Sequence, residues 1–255
     1  FVVGDTTMEE MLPLLNQYFG AWKENRMAVP EKNIAEVAMK EGSVYLIDKP
    51  GAPQSLILAG HVAPSTRADN NIDILTMNDV IGGSFTARVN MNLREDKGWA
   101  YGAYTFMQDA RGQRPWLAYA PVQTDKTADS IRELTREMDE FLSSAPARQD
   151  ELDKSVRNNV NSLPGQFETA GAVLNALLSN DRFGRPDSYI SSLKRRYEAV
   201  DLSGVHAAAQ QVIHPENLIW LIVGDLEQIE QQIRDLELGD VQIIDEDGKP
   251  IATSG

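Results

Sequence analysis

The chain has no cysteine, no long apolar run, only three histidines and a marked shortage of cations relative to acids. The missing cysteines exclude disulfides, thiolate zinc sites, iron–sulfur clusters and a cysteine nucleophile together, and they fit a reducing or an oxidising compartment equally. No apolar stretch reaches the roughly 18 residues a membrane span needs, and no signal peptide is visible. The net charge of −14, from 24 Lys and Arg against 38 Asp and Glu, argues against nucleic acid, whose phosphates need clustered cations. His61, His206 and His214 stand in no H-x-x-E-H or H-E-x-x-H spacing, so the sequence gives no support to a metal site in this chain. Each reads instead as a surface or capping histidine. G-x-G-x-x-G and Walker loops are also missing, which removes the sequence case for a nucleotide.

What is present is an ordinary globular composition. The 255 residues are 42% apolar and 24% charged, enough for one large or two small domains. FVVGD (1–5) followed by TTMEEMLPLLNQYFGAW reads as a strand entering an amphipathic helix, with Thr6 or Thr7 as N-cap. LIWLIVGDLEQIEQQIRDL (218–236) repeats that grammar, an apolar run closing on Val-Gly-Asp before a helix. The chain opens inside the first of these units without a methionine, which predicts a fragment that starts at the end of one module and contains a second. A missing signal peptide is then no evidence of cytoplasmic residence.

Residues 23–40 are polar and read as a connector. GSVYLID (42–48) and SLILAGH (55–61) predict strands joined across the turn KPGAPQ. NNIDILTMNDVIGG (70–83) predicts a helix stopped by two glycines, and SFTARVNMNLRED (84–96) another. AYGAYTFMQ (100–108) and PWLAYAPVQ (115–123) predict strands around the polar hairpin DARGQR. Helices are expected over 125–143, 148–163, 167–180, 187–200 and 202–213, and VQIIDEDGKPI (241–251) as a short strand with an Asp-Gly turn. This order predicts an α+β fold, with helices packed over one face of a sheet.

Most candidate chemistry dissolves on inspection. Ser84 follows two glycines, but GGSFT is not G-x-S-x-G, and a helix N-cap is the better reading. Asp245, Glu246 and Asp247 are too few for an EF-hand and sit at a turn. Arg94 and Tyr101, seven apart in NLREDKGWAYG (92–102), leave two readings open. In one, Arg94 satisfies carbonyls at a helix end and Tyr101 is half-buried in the next strand. In the other, an always-charged fork of donors and a phenol grip a carbonyl oxygen that gains negative charge during peptide hydrolysis.

The stretch NDVIGGSFTARVNMNLREDKGWAYG resembles the second-half signature of the pitrilysin/insulinase-type zinc metallopeptidases, peptidase family M16, through Asn78, Gly82, Gly83, Phe85, Arg88, Leu93, Arg94, Glu95, Lys97, Gly98 and Tyr101. DKTADSIRELTREM (125–138) and HPENLIWLIVGD (214–225) extend the likeness over nearly all of residues 40–236. The resemblance implies paired homologous α+β modules of the metallohydrolase type shared with mitochondrial processing peptidases, enclosing a chamber. Residues 1–22 would close a preceding module, 23–41 would be linker and 42–255 the C-terminal-type domain. Zinc, its activated water and the general-base Glu would come from the other half, in the same polypeptide or a partner subunit, leaving this chain without a metal and inactive alone. Arg94 and Tyr101 would be its catalytic contribution and a peptide its substrate. Gly82, Gly83, Ser84 and Trp99 would line the substrate wall. Ala87, Val89 and Trp99 depart from the family's usual Ser, Leu and small aliphatic residue, and Trp99 would reshape the chamber. Two such modules fused in one bacterial chain imply the periplasm. A catalytically silent scaffold or peptide-binding subunit of the same fold is the alternative, and the retained Arg–Tyr pair argues against it.

Overall fold

The computed structural model describes residues 1–23 and 35–251, so most of the expected connector lies outside the described residues. The helix α1 (Met8–Phe19) starts where Thr7 was placed as a cap: the Thr7 Oγ1 accepts from the Glu10 N–H at 3.3 Å, and the Glu10 carboxylate accepts from the Thr7 N–H at 3.1 Å. The reciprocal pair satisfies two donors that a helix start otherwise leaves orphaned. The strand expected over residues 1–5 is not formed. A strand exists only through its ladder, and among the described residues nothing pairs with this stretch.

The remaining elements follow in the order β1 (Ser43–Asp48), β2 (Gln54–Ala63), α2 (Asn71–Asn78), α3 (Arg88–Asn90), β3 (Tyr104–Met107), β4 (Arg114–Gln123), α4 (Thr127–Leu142), α5 (Gln149–Ser162), α6 (Ala170–Phe183), α7 (Tyr189–Glu198), α8 (Leu202–Val212), β5 (Ile219–Gly224), α9 (Leu226–Arg234) and β6 (Asp240–Ile243). The strands form one mixed sheet in the order β3-β4-β2-β5-β1-β6. Although β1 and β2 are joined by a short turn, β5 lies between them, parallel to β1 and antiparallel to β2. The fold is α+β, as the order of elements predicts.

Period-two alternation divides the sheet into two faces. Val44, Leu46, Ile57, Ala59, Trp116, Ala118, Ala120, Trp220 and Ile222 are buried on one face, against α4 and α9. On the opposite face Tyr45, Leu56, Leu58, Leu117, Tyr119 and Leu221 are only half-buried.

His61 enters the helix-covered face near the end of β2, 7% exposed and stacked on Trp116 with ring centroids 5.4 Å apart. Its Nε2 accepts from the His214 backbone N–H at 3.3 Å, so Nδ1 carries the proton and donates to the Val62 carbonyl at 3.1 Å. Burial pushes its pKa below the usual imidazole value; the bond to the Val62 carbonyl and the Glu216 carboxylate oppose this, and His214 adds to it. The unfolded chain therefore takes up this proton before the folded one does, and folding stability falls as pH drops below the ordinary imidazole range. The urea midpoint should decrease between pH 7.5 and pH 5.5, and less so in His61→Gln. An equal decrease in both proteins would remove His61 as the cause.

Candidate functional site

The site grows out of two irregular helical segments in which the backbone bonds reach five residues back rather than four. The first, Asp79–Gly83, continues α2 and contains both glycines. Gly82 lies against β3 so closely that a Cβ would fall 2.4 Å from the Thr105 Oγ1 and 2.6 Å from its backbone nitrogen. At Gly83 a Cβ would meet the Asn78 Nδ2 at 2.7 Å. The pair therefore permits close backbone approach. It does not simply stop a helix.

The expected helix over 84–96 starts four residues late. Ser84 is extended, its hydroxyl donates back to the Asp79 carbonyl at 3.1 Å, and Ala87 rather than Ser84 stands at the N-cap of α3. α3 then widens into the second five-back segment, Met91–Asp96, which carries Arg94. Such turns concentrate at functional sites. Gly98, at φ +66°, reverses the chain, and the Trp99 N–H reaches back to the Leu93 carbonyl at 2.9 Å. The left-handed conformation suits glycine because it has no Cβ to clash.

This reversal brings the two residues of interest together. The Arg94 guanidinium carbon lies 5.4 Å from the centre of the Tyr101 ring and 4.5 Å from that of Phe85. Tyr101 is 84% exposed and precedes β3, so it is not the half-buried strand residue of the structural reading. Among the described residues neither the guanidinium nor the phenol donates a hydrogen bond to protein; the nearest acid is the Glu95 carboxylate, 3.4 Å from Nε. Arg94 therefore caps no helix end. Trp99 is half-buried against the core, beneath the ammonium groups of Lys97 and Lys126 at 5.4 and 5.9 Å.

A frame of buried asparagines fixes this arrangement, and the sequence pattern did not single them out as functional. Asn90 donates to the Phe85 carbonyl at 2.6 Å and accepts from the Ala103 N–H at 3.0 Å, tying the segment before Arg94 to the one after Tyr101. Asn78 donates to the Thr105 carbonyl at 3.0 Å and accepts from the Thr105 hydroxyl and the Trp116 indole, each at 2.9 Å. For Asn90 the sequence signal is a polar side chain on a face that helical spacing assigns to the core, whereas Asn78 stands among the residues that carry the family resemblance. Arg88 secures the outer side, bonding Glu151 through two nitrogens and the Ala145 and Pro146 carbonyls while stacking on Phe141.

Behind residues 84–91 lies a polar cavity of about 690 Å³ whose lining includes Asp79, Ser84, Arg88, Met91 and Lys154. Asp79 accepts from the Ser155 hydroxyl at 2.9 Å and the Asn159 amide at 2.6 Å. Burial nevertheless raises its pKa above the usual carboxylate value, outweighing the two bonds that lower it.

Residues 1–159 match the family described as the peptidase M16 inactive domain, well over half of the chain. The chain belongs to that family. Its M16 relatives include a protein named as an uncharacterized zinc protease, YmxG of Bacillus subtilis, 24% identical over 155 residues, which cover 59% of this chain and 36% of YmxG. Among solved structures, the peptidase M16 inactive domain from Pseudomonas fluorescens superposes with a TM-score of 0.76 at 18% identity, over 87% of this chain and 52% of that one. The first half of the periplasmic protease PqqL from Escherichia coli does so with a TM-score of 0.70 at 14% identity, over 90% and 51%. The M16 chain thus spans about a third of the length of the curated relative and about half of these solved chains.

The histidines that the structure describes in this M16 chain are taken up by backbone groups rather than gathered as zinc ligands. The His61 Nε2 is occupied by the His214 N–H, and the His206 Nε2 lies 3.0 Å from the Ala147 carbonyl. Among the described residues no group of three or more His, Asp or Glu side chains is placed to hold a metal ion. No described helix is long and apolar enough to cross a membrane.

Proposed function

We propose that this chain is the non-zinc, C-terminal half of an M16 zinc metallopeptidase, in which Arg94 and Tyr101 bind the substrate peptide's carbonyl next to the scissile bond. The observation that carries this reading is the meeting of Arg94 and Tyr101 across the Gly98 turn, where among the described residues only the Arg94 Nε is engaged, in a partly exposed ion pair with Glu95. A cation and a phenol aimed at one oxygen stabilise the negative charge it gains as the carbonyl is attacked, and exposed donors stay available until a peptide arrives. The zinc and the general base belong to the other half, whether in the same polypeptide or a partner subunit. Residues 1–22 then belong to a preceding module and 23–41 link it to the domain over 42–255. The glycine-rich segment with Ser84, and Trp99 beyond it, form part of the chamber wall around the peptide. The periplasm is the proposed compartment, by analogy with the protease PqqL.

The test is a mixture of quenched fluorescent peptides presented to this chain alone and to the full-length zinc-loaded protein. Release is expected only from the second, and it should stop on chelation. Cleavage by the 255-residue chain alone would overturn the assignment of the metal and base to another half. A full-length protein that binds peptides but never cleaves them would favour a peptide-binding module of the same fold.

A further inference from the structure

We infer that Phe85 is a positioning residue for Arg94, holding the guanidinium plane by stacking and leaving its N–H edges open to the substrate. The inference rests on the reading of Arg94 as the carbonyl clamp and adds the part that aims it. A guanidinium carries all its donors in its own plane, so any partner at an edge consumes some of them. A carboxylate there would also neutralise the charge. An aromatic face attracts the cation through its quadrupole and takes no donor. Phe85 offers that face at 4.5 Å from the guanidinium carbon, closer than Tyr101 at 5.4 Å.

Among the described residues only Tyr101 offers a second aromatic face to Arg94, and it stands farther off. The Glu95 carboxylate reaches only Nε, at 3.4 Å, and at 43% exposure it is an ordinary surface ion pair of small worth. Phe85, by contrast, is itself anchored: its carbonyl accepts from Asn90 at 2.6 Å, and Asn90 holds the Ala103 N–H in turn. Yet the Phe85 ring is 55% exposed, so burial does not account for its size. A residue fixed by its backbone and left open at its ring is arranged to touch something outside the core, and among the described residues Arg94 stacks on it.

The experiment replaces Phe85 in the full-length protein with phenylalanines bearing one, two and three ring fluorines, which withdraw the charge behind the cation attraction at almost constant shape. Peptide cleavage should decline stepwise, with kcat falling about 2–5-fold across the series and KM nearly constant. Phe85→Tyr should keep most activity and Phe85→Leu should resemble the trifluoro variant. In parallel, the Arg94 Nε–H proton resonance should move downfield in Phe85→Leu as the ring current is lost. A flat fluorine series with an unmoved resonance overturns the inference. A moved resonance with unchanged kcat leaves Phe85 orienting Arg94 and sinks the clamp reading instead, which separates the two failures.

Discussion

Arg94→Ala lowers kcat for peptide cleavage by the full-length protein by about 10²–10³, equivalent to ~2.7–4 kcal/mol of transition-state stabilisation. The size follows from what the guanidinium does not touch. A side chain that made strong structural bonds would cost stability when removed, whereas among the described residues Arg94 makes only a partly exposed ion pair with Glu95, of small worth. Its truncation should therefore leave the melting temperature nearly unchanged while turnover collapses. Tyr101→Phe should act in the same direction, since it deletes one donor from an exposed ring. The double variant should lose less than the product of the two losses, because both donors serve one oxygen. Near-normal kcat in Arg94→Ala, with zinc content unchanged, would return the pair to the surface.

The second large effect is on folding. Asn78→Ala should destabilise the domain by about 3–5 kcal/mol, read as a fall in the urea midpoint at constant slope. Asn78 is 7% exposed, and its amide meets the Thr105 carbonyl, the Thr105 hydroxyl and the Trp116 indole. Truncation leaves those groups dry and unpaired, with the Trp116 indole buried in the sheet. Asn78→Asp tests the same frame differently, because it keeps the shape, loses the donor to Thr105 and buries a charge. A loss below about 1 kcal/mol in the alanine variant would mean that the indole and Thr105 find other partners, and the frame would not be what holds the glycine turn to β3.

The sheet was legible wherever alternation is long. β2 and β4 are each recovered within a residue or two at both ends, because apolar and polar positions alternate along them. The insertion of β5 between β1 and β2 was not, since pairing across 159 or more residues leaves no trace in local pattern. Residues 1–5 have strand composition and no ladder, a reminder that strand propensity describes a fit to neighbours. The helix expected from Ser84 begins at Arg88 because the chain before it is held by Asn90 and by the Asp79 carbonyl, side-chain bonds five residues apart in sequence that helical spacing does not reveal. Arg94 and Tyr101 were visible through the motif that contains them. Phe85 sat in the same motif without a role, because only the reversal at Gly98 and the widened turn show which ring faces the guanidinium.

That widened turn has a consequence for anyone seeking to stabilise the protein. Met91–Asp96 spends one more residue per hydrogen-bonded loop than an α-helix does. Deleting a single residue there would let the ladder close in its more favourable register, and a design method that rewards helical regularity would choose it. The same deletion, made ahead of Arg94, would shift Arg94 relative to Phe85, which precedes the turn, and undo the stacking between them. Regularity and aim are in competition at this turn, and a variant improved by thermal screening alone would be selected for losing the proposed grip on a peptide.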